Sequence, residues 1–238
     1  MKKIGAELTA YAGRYGMDIE SGQADRFQSY MEILLGWNEK INLTAITEPD
    51  EIAVKHFLDC ILLLKYCEIP RGAKVIDVGT GAGFPGVVMK IMRPDIRLTL
   101  LDSLNKRLMV LSDIMKKIGV EAEIVHERAE EAGRKPFYRL QYDFAAARAV
   151  AALPSLCEYG LPFLKKGGVF AAMKGPNPEE EISAAKSAVS KLGCALLKTE
   201  KYTLPNGEGR SLILICRTGK LPDCYPRRGI KIQKTPIQ

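Results

Sequence analysis

Apolar side chains recur three and four positions apart between about Gly5 and Tyr66: Phe27, Tyr30, Met31, Leu34 and Leu35 form one series, and Ile52, Val54, Phe57, Leu58, Ile61 and Leu62 another. That spacing gathers them on one helical face, and Pro49 after Thr47 and Glu48 suits a helix start, so the pattern predicts a helical N-terminal region. Between the two series, Trp37-Asn38-Glu39-Lys40-Ile41-Asn42-Leu43-Thr44 interrupts the period with amide and hydroxyl groups, which predicts an ordered loop. Beyond Pro70-Arg71-Gly72 the texture changes. Short β-branched runs at 74–78, 97–101, 122–125, 142–146 and 168–173 alternate with helical stretches at 85–92, 105–118, 153–164 and 178–192. Such alternation predicts a parallel sheet covered by helices on both faces. The last two runs, 194–204 and 210–217, flank Pro205-Asn206-Gly207-Glu208-Gly209 and read as an antiparallel hairpin at the sheet edge. The expected organisation is an N-terminal helical extension, 1–70, packed on an α/β domain, 71–238, that ends in a basic tail.

Composition narrows the class. The chain has 238 residues, 47% hydrophobic and 26% charged, the balance of an ordinary globular protein, which argues against disorder and fibre. Its longest apolar runs, 61–64 and 212–216, fall far short of the roughly 20 residues of a membrane span. The start, Met1-Lys2-Lys3-Ile4-Gly5-Ala6-Glu7, develops no apolar core of a secretory signal, so the expected location is the cytoplasm. Six cysteines without a C-x-x-C pair, and only His56 and His126 to join them, predict free thiols and no metal site.

Charge is uneven: residues 1–70 carry 7 basic and 11 acidic side chains, the other 168 carry 28 and 17. From Arg217 onward, Lys220, Arg227, Arg228, Lys231 and Lys234 face only Asp223. A polyanionic partner near the C-terminal part would account for this, as would a solvated basic tail.

The most informative segment is Asp77-Val78-Gly79-Thr80-Gly81-Ala82-Gly83-Phe84-Pro85-Gly86, which follows a predicted strand and opens a helix. Its glycines allow backbone N–H groups to approach a ligand closely. Two registers fit. Gly81-x-Gly83-x-x-Gly86, with Asp102 21 residues beyond Gly81, is a formal dinucleotide fingerprint. Asp77-x-Gly79-x-Gly81-x-Gly83 is the pattern of S-adenosylmethionine-dependent methyltransferases, in which a carboxylate before the glycines suits the positive charge of the methionine moiety and its sulfonium, and would sit badly beside pyrophosphate. Asp102, with Ser103 beside it, can accept from ribose hydroxyls in either register. The terminal hairpin favours the second.

These residues, together with Trp37-Asn38, Asn42-Leu43-Thr44, His56-Phe57-Leu58-Asp59, Leu101-Asp102-Ser103, Lys106-Arg107, Arg128-Ala129-Glu130, Ala147-Arg148-Ala149-Val150, Lys174-Gly175 and Tyr225-Pro226-Arg227-Arg228, resemble the ribosomal RNA small subunit methyltransferase G family, also called glucose-inhibited division protein B. The blocks run from about residue 37 to 230. The resemblance implies a Rossmann-like class I methyltransferase fold with a mainly parallel seven-stranded sheet. It also implies S-adenosylmethionine as cofactor and transfer of a methyl group to N7 of one guanine in bacterial 16S rRNA, free or in the small subunit. By the same resemblance Gly79, Phe84, Ala129, Glu130 and Arg148 are cofactor-binding positions. Cys60 departs from the pattern, where the His-x-x-Asp block usually continues with Ser.

Guanine N7 bears a lone pair and no hydrogen, so its methylation requires no general base, in keeping with the lack of an obvious catalytic dyad. Arg148, after the fourth predicted strand, is the candidate catalytic residue, holding either the methionine carboxylate or the target's O6 or phosphate. Ala129 and Glu130 follow the third strand, where adenine would be bordered, and Phe84 would pack on the cofactor. His56 reads as a packed structural residue, or as one that orders the Asn38 and Asn42 loop together with Asp59. Lys174, Arg227 and Arg228 lead the candidate phosphate contacts, with Lys106, Arg107, Arg134, Lys135, Lys165 and Lys166 behind them. Two other classes remain on the table: an NAD(P)-dependent oxidoreductase, and a noncatalytic RNA-binding assembly protein on the same fold.

Overall fold

The computed structural model describes residues 3–237; Met1, Lys2 and Gln238 lie outside the described residues, and with them part of the basic start. Five strands, β1 (Lys74–Val78), β2 (Arg97–Asp102), β3 (Glu123–His126), β4 (Tyr142–Arg148) and β5 (Leu164–Lys174), are joined to the hairpin of β6 (Cys194–Thr203) and β7 (Gly209–Arg217). They form one seven-stranded sheet in the order β3-β2-β1-β4-β5-β7-β6. The first five strands run parallel, and β7 inserts antiparallel between β5 and β6. β1 is buried from Val75 to Val78, as a central parallel strand covered on both faces must be.

The order reverses direction between β1 and its neighbours β2 and β4. That is the switch point at which open α/β sheets hold ligands, at the carboxyl ends of the strands.

Two apolar layers flank the sheet. On one face α1 (Gly5–Arg14), α2 (Ser21–Asn38) and the helix 49–66 share a single core with α5 (Gly86–Met92) and α6 (Asn105–Ile118): Leu8, Phe27, Tyr30, Leu34 and Phe57 lie in one cluster with Val75, Val87 and Leu111. The helix 49–66 begins with α3 (Pro49–Glu51), widens to a π-helical stretch over Ile52–Leu58 and closes as α4 (Asp59–Tyr66). His56 sits in the widened part, and such stretches concentrate at functional sites. The opposite face is covered by α8 (Leu153–Gly160), α9 (Glu179–Lys191) and the C-terminal segment, whose Leu221, Ile232 and Ile237 are buried.

Four features depart from the expected boundaries. Trp37 and Asn38 finish α2 instead of opening the loop, because the indole N–H donates to Asp113 of α6 at 2.8 Å. The Asn38 side chain then organises the loop, with Oδ1 accepting from Leu43 and Thr44 N–H at 2.8 and 3.0 Å. β5 starts four residues early, since Leu164 pairs with Tyr142 across an irregular step in the ladder. The expected helix 153–164 tightens to a 3-10 turn, Leu161–Phe163, at Pro162. Two short helices, α7 (Ala129–Ala132) and α10 (Gly229–Lys234), had not been delimited by spacing.

Candidate active site

A cleft of about 260 Å³ opens at the carboxyl ends of β1 to β4. Gly79, Asp102, Ser103, Ala129 and Glu130 line it, as does Val150 just past β4. Gly79 has φ +73°, and a Cβ there would stand 2.6 Å from Val150 Cγ2, so only a residue without a side chain fits. Asp102 Oδ2 accepts from Gly81 N–H and Oδ1 from Leu104 N–H, at 2.8 and 2.9 Å. A carboxylate offers about four lone-pair positions, so Asp102 keeps acceptor capacity for ribose hydroxyls.

Gly81 stands beside Asp102 with open space around it, whereas Asp77, Gly83, Phe84 and Arg148 lie behind this wall. Asp77 does not line the cleft. Its Oδ2 accepts from Thr80 Oγ1 at 2.7 Å and from Gly86 N–H at 2.8 Å, bracing both ends of the glycine loop, while buried Oδ1 has no hydrogen-bond partner among the described residues. Burial pushes this carboxyl up to about 6, against those hydrogen bonds and the Arg148 charge. Gly83 is crowded by the Tyr30 hydroxyl, which also donates to the Ala82 carbonyl, so this side of the loop faces the N-terminal helices.

Phe84 is buried there, stacked between His56 and Tyr30 with centroids at 4.7 and 5.4 Å. Arg148 reaches the same cluster. Its guanidinium donates to the Lys55 carbonyl at 3.0 Å and to His56 Nδ1 at 3.1 Å, and approaches Asp59 Oδ2 at 3.5 Å. With only 15% of its side chain exposed, Arg148 is no surface ion-pair partner. Ala149 follows at φ +56°, turning the chain so that Arg148 faces the cluster while Val150 faces Gly79.

Because an arginine only donates, His56 Nδ1 must be the acceptor, and the ring proton sits on Nε2, 2.9 Å from Thr44 Oγ1. Burial, with the Arg148 charge, holds His56 down to about 3, so the ring is neutral. Thr44 Oγ1 also accepts from Ile46 N–H, so His56 and Asn38 both shape the 39–48 loop; Asn42 is exposed. Asp59, raised by burial, is held by the Tyr202 hydroxyl at 2.8 Å and lies 3.7 Å from Arg210 Nε. Cys60 is a free buried thiol pushed up to about 12 by burial, hence unreactive.

The candidate RNA residues divide in the same way. Lys174 Nζ is spent on the Ala151 carbonyl and Glu181, both at 2.7 Å. Arg227 grips fully buried Glu158 with Nη2 at 2.8 Å and Nε at 3.0 and 3.1 Å. Arg228 stays exposed. Spacing had not pointed to Tyr159 and Gln233, which also line the cleft. The buried positions Ile232 and Ile237 were the available sign that the tail packs.

A glycine loop after β1 and a carboxylate ending β2, on a sheet of this order, define a class I S-adenosylmethionine-dependent methyltransferase. The fold is similar to TrmN from Thermus thermophilus (TM-score 0.53, 17% identity, 67% of this chain and 48% of that one). It is also similar to a putative transferase from Pyrococcus horikoshii (TM-score 0.54, 12% identity, 68% and 64%). At those identities the likeness is one of fold. In sequence, residues 23–210 match the profile of rRNA small subunit methyltransferase G. A protein of that name from Desulforamulus reducens is 44% identical over 239 residues, 100% of both chains, and one from Alkaliphilus metalliredigens 45% over 225 residues, 94% of each. The chain thus belongs to the rRNA small subunit methyltransferase G family.

Proposed function

We propose that this protein methylates N7 of a guanine in bacterial 16S rRNA, working in the cytoplasm on the free RNA or on the small subunit. The cleft fits S-adenosylmethionine: backbone alone faces it at Gly79, and Asp102 retains acceptor capacity for a ribose. When bound, the cofactor supplies an electrophilic methyl group on a sulfonium.

The observation that carries the N7 reading is the state of His56. It is the one imidazole beside the glycine loop, it is neutral, and both its ring nitrogens are engaged by Arg148 and Thr44. No proton needs to be taken from guanine N7, whose lone pair attacks directly, so a site in which the imidazole is locked into structure suits this acceptor. Arg148 works as a positioning residue: it clamps Phe84 and His56 behind the loop and so fixes where the backbone of Gly79 to Gly83 stands. RNA phosphates are met by Arg228 together with Lys106, Arg107, Arg128, Lys231 and Lys234 around the cleft mouth and the C-terminal helix, a surface that supplies affinity more than sequence choice.

The test is incubation with methyl-labelled S-adenosylmethionine and 16S rRNA lacking the modification, naked and within small subunits, followed by nucleoside mass spectrometry. Labelled N7-methylguanosine is expected. Label on any other nucleoside overturns the assignment.

A further inference from the structure

The C-terminal segment is basic, yet it is built into the domain. Arg227 donates its own N–H to Glu158 Oε1 at 2.6 Å, in addition to the guanidinium contacts. Arg134 Nε donates to the Pro226 carbonyl at 2.8 Å, and Arg139 holds the carbonyls of Pro222, at 3.1 Å, and Tyr225. Ser155 Oγ donates to the Ile232 carbonyl at 3.1 Å, and the Ile232 side chain is fully buried. At Gly229 the backbone lies directly against the Glu130 carboxylate, so the segment sits close on α7. A tail that served as a mere cloud of positive charge would need none of this.

What the strap carries into the cleft is Gln233, the residue after the Ile232 anchor. Its side chain meets the hydroxyl of Tyr159 on α8, which also lines the cleft.

The sheet order says which part of a ligand reaches them. With S-adenosylmethionine in this cleft, its methionine end would lie by Gly79 and the end of β4, and its ribose by Asp102 at the end of β2. Beyond Asp102 the cleft continues past the end of β3, along Glu127, Arg128, Ala129 and Glu130, to Tyr159 and Gln233. With the cofactor's ribose at Asp102, its adenine would lie there. One edge of adenine sets an amine donor beside a ring-nitrogen acceptor, and a carboxamide presents the complementary acceptor and donor. We propose that Gln233 is a specificity-determining residue that reads the adenine of the cofactor through its side-chain amide, delivered to the cleft by the C-terminal strap. This rests on the cleft being the S-adenosylmethionine site.

Binding, without RNA, separates the two ideas. Titration calorimetry compares S-adenosylhomocysteine with its analogue carrying unsubstituted purine for adenine, which lacks the amine donor but keeps N1, so that no turn of the amide restores the lost partner. The wild type is expected to prefer the adenine compound by about tenfold or more, the scale of one lost hydrogen-bond partner. Gln233→Ala, an exposed position, is expected to fold normally, to lose about tenfold in affinity for the adenine compound and to show little preference between the two. If Gln233→Ala discriminates as well as the wild type, the proposal fails and the cofactor site stands. If the wild type binds neither compound, the cofactor site itself is wrong and the proposal falls with it.

Discussion

The guanidinium of Arg148 stands 4.8 Å from the centre of the Phe84 ring, so the residue that ends β4 holds the last aromatic of the glycine loop. The same cation compensates buried Asp59. Breaking a buried pair by removing one partner costs about 3–5 kcal/mol, because the other charge stays buried. Arg148→Ala is therefore expected to lower stability by about 3 kcal/mol or more as well as methyl transfer, and Arg148→Lys to recover much of the stability but little of the transfer, since an ammonium cannot serve Phe84, His56 and Lys55 together. Thermal melts beside single-turnover methylation check this. Full transfer by either variant would remove Arg148 from the site.

Gly79→Val is expected to abolish cofactor binding while the protein still folds. A β-branched residue at φ +73° is strained by about 1–2 kcal/mol, and its Cβ meets Val150 at the cleft wall. Calorimetric affinity for S-adenosylmethionine falling at least tenfold is the expected result; unchanged affinity would move the cofactor elsewhere.

Acid stability should respond oppositely to two substitutions. His56 takes up its proton near 3 in the folded protein, chiefly because it is buried, and near 6.5 in the unfolded chain. Between those values the unfolded state binds more protons, so this group removes about 1.4 kcal/mol of stability per unit as the pH falls. Asp77, raised by burial to about 6 from its ordinary 3.8, binds its proton first in the folded state, so its contribution is lost as the pH rises through 6. Melts between pH 7 and 4 are expected to show a shallower acid loss for His56→Asn and a steeper one for Asp77→Asn. Parallel profiles for all three proteins would contradict the burial of both groups.

The arginines of the tail should separate by assay. Arg228→Ala is expected to raise the KM for RNA severalfold and to lower the salt dependence of binding by about one unit of slope, leaving the melt unchanged. Arg227→Ala instead strips the partner from fully buried Glu158 and is expected to cost about 3 kcal/mol of stability. A normal melt for Arg227→Ala with a raised KM would restore it as an RNA contact.

Local pattern reveals what is local. The run 74–78 is β1, and 105–118 is α6 with Gly119 closing it at φ +65°, because strand and helix ends are set by neighbouring residues. The glycine loop was equally legible, but the direction of its carboxylate was not. Asp77 turns inward because Thr80 and Gly86 present donors to it once the loop is folded. The Asp59 cluster left no trace in spacing, since its partners stand up to 143 residues away. The strap was hidden for a different reason: five cations in its sequence drew attention to charge, whereas two isoleucines fix its place.

The buried carboxylate of Asp59 is satisfied by Tyr202 of β6, Arg210 of β7 and Arg148 of β4, while its own backbone belongs to the N-terminal helical layer. If any of those pieces departs, a charge is stranded in an apolar interior. The helical layer, the hairpin and the central sheet therefore have no inexpensive way to come apart singly. Denaturation should proceed as one cooperative event, and a cofactor held at the far side of the glycine loop would report on the integrity of segments it never touches.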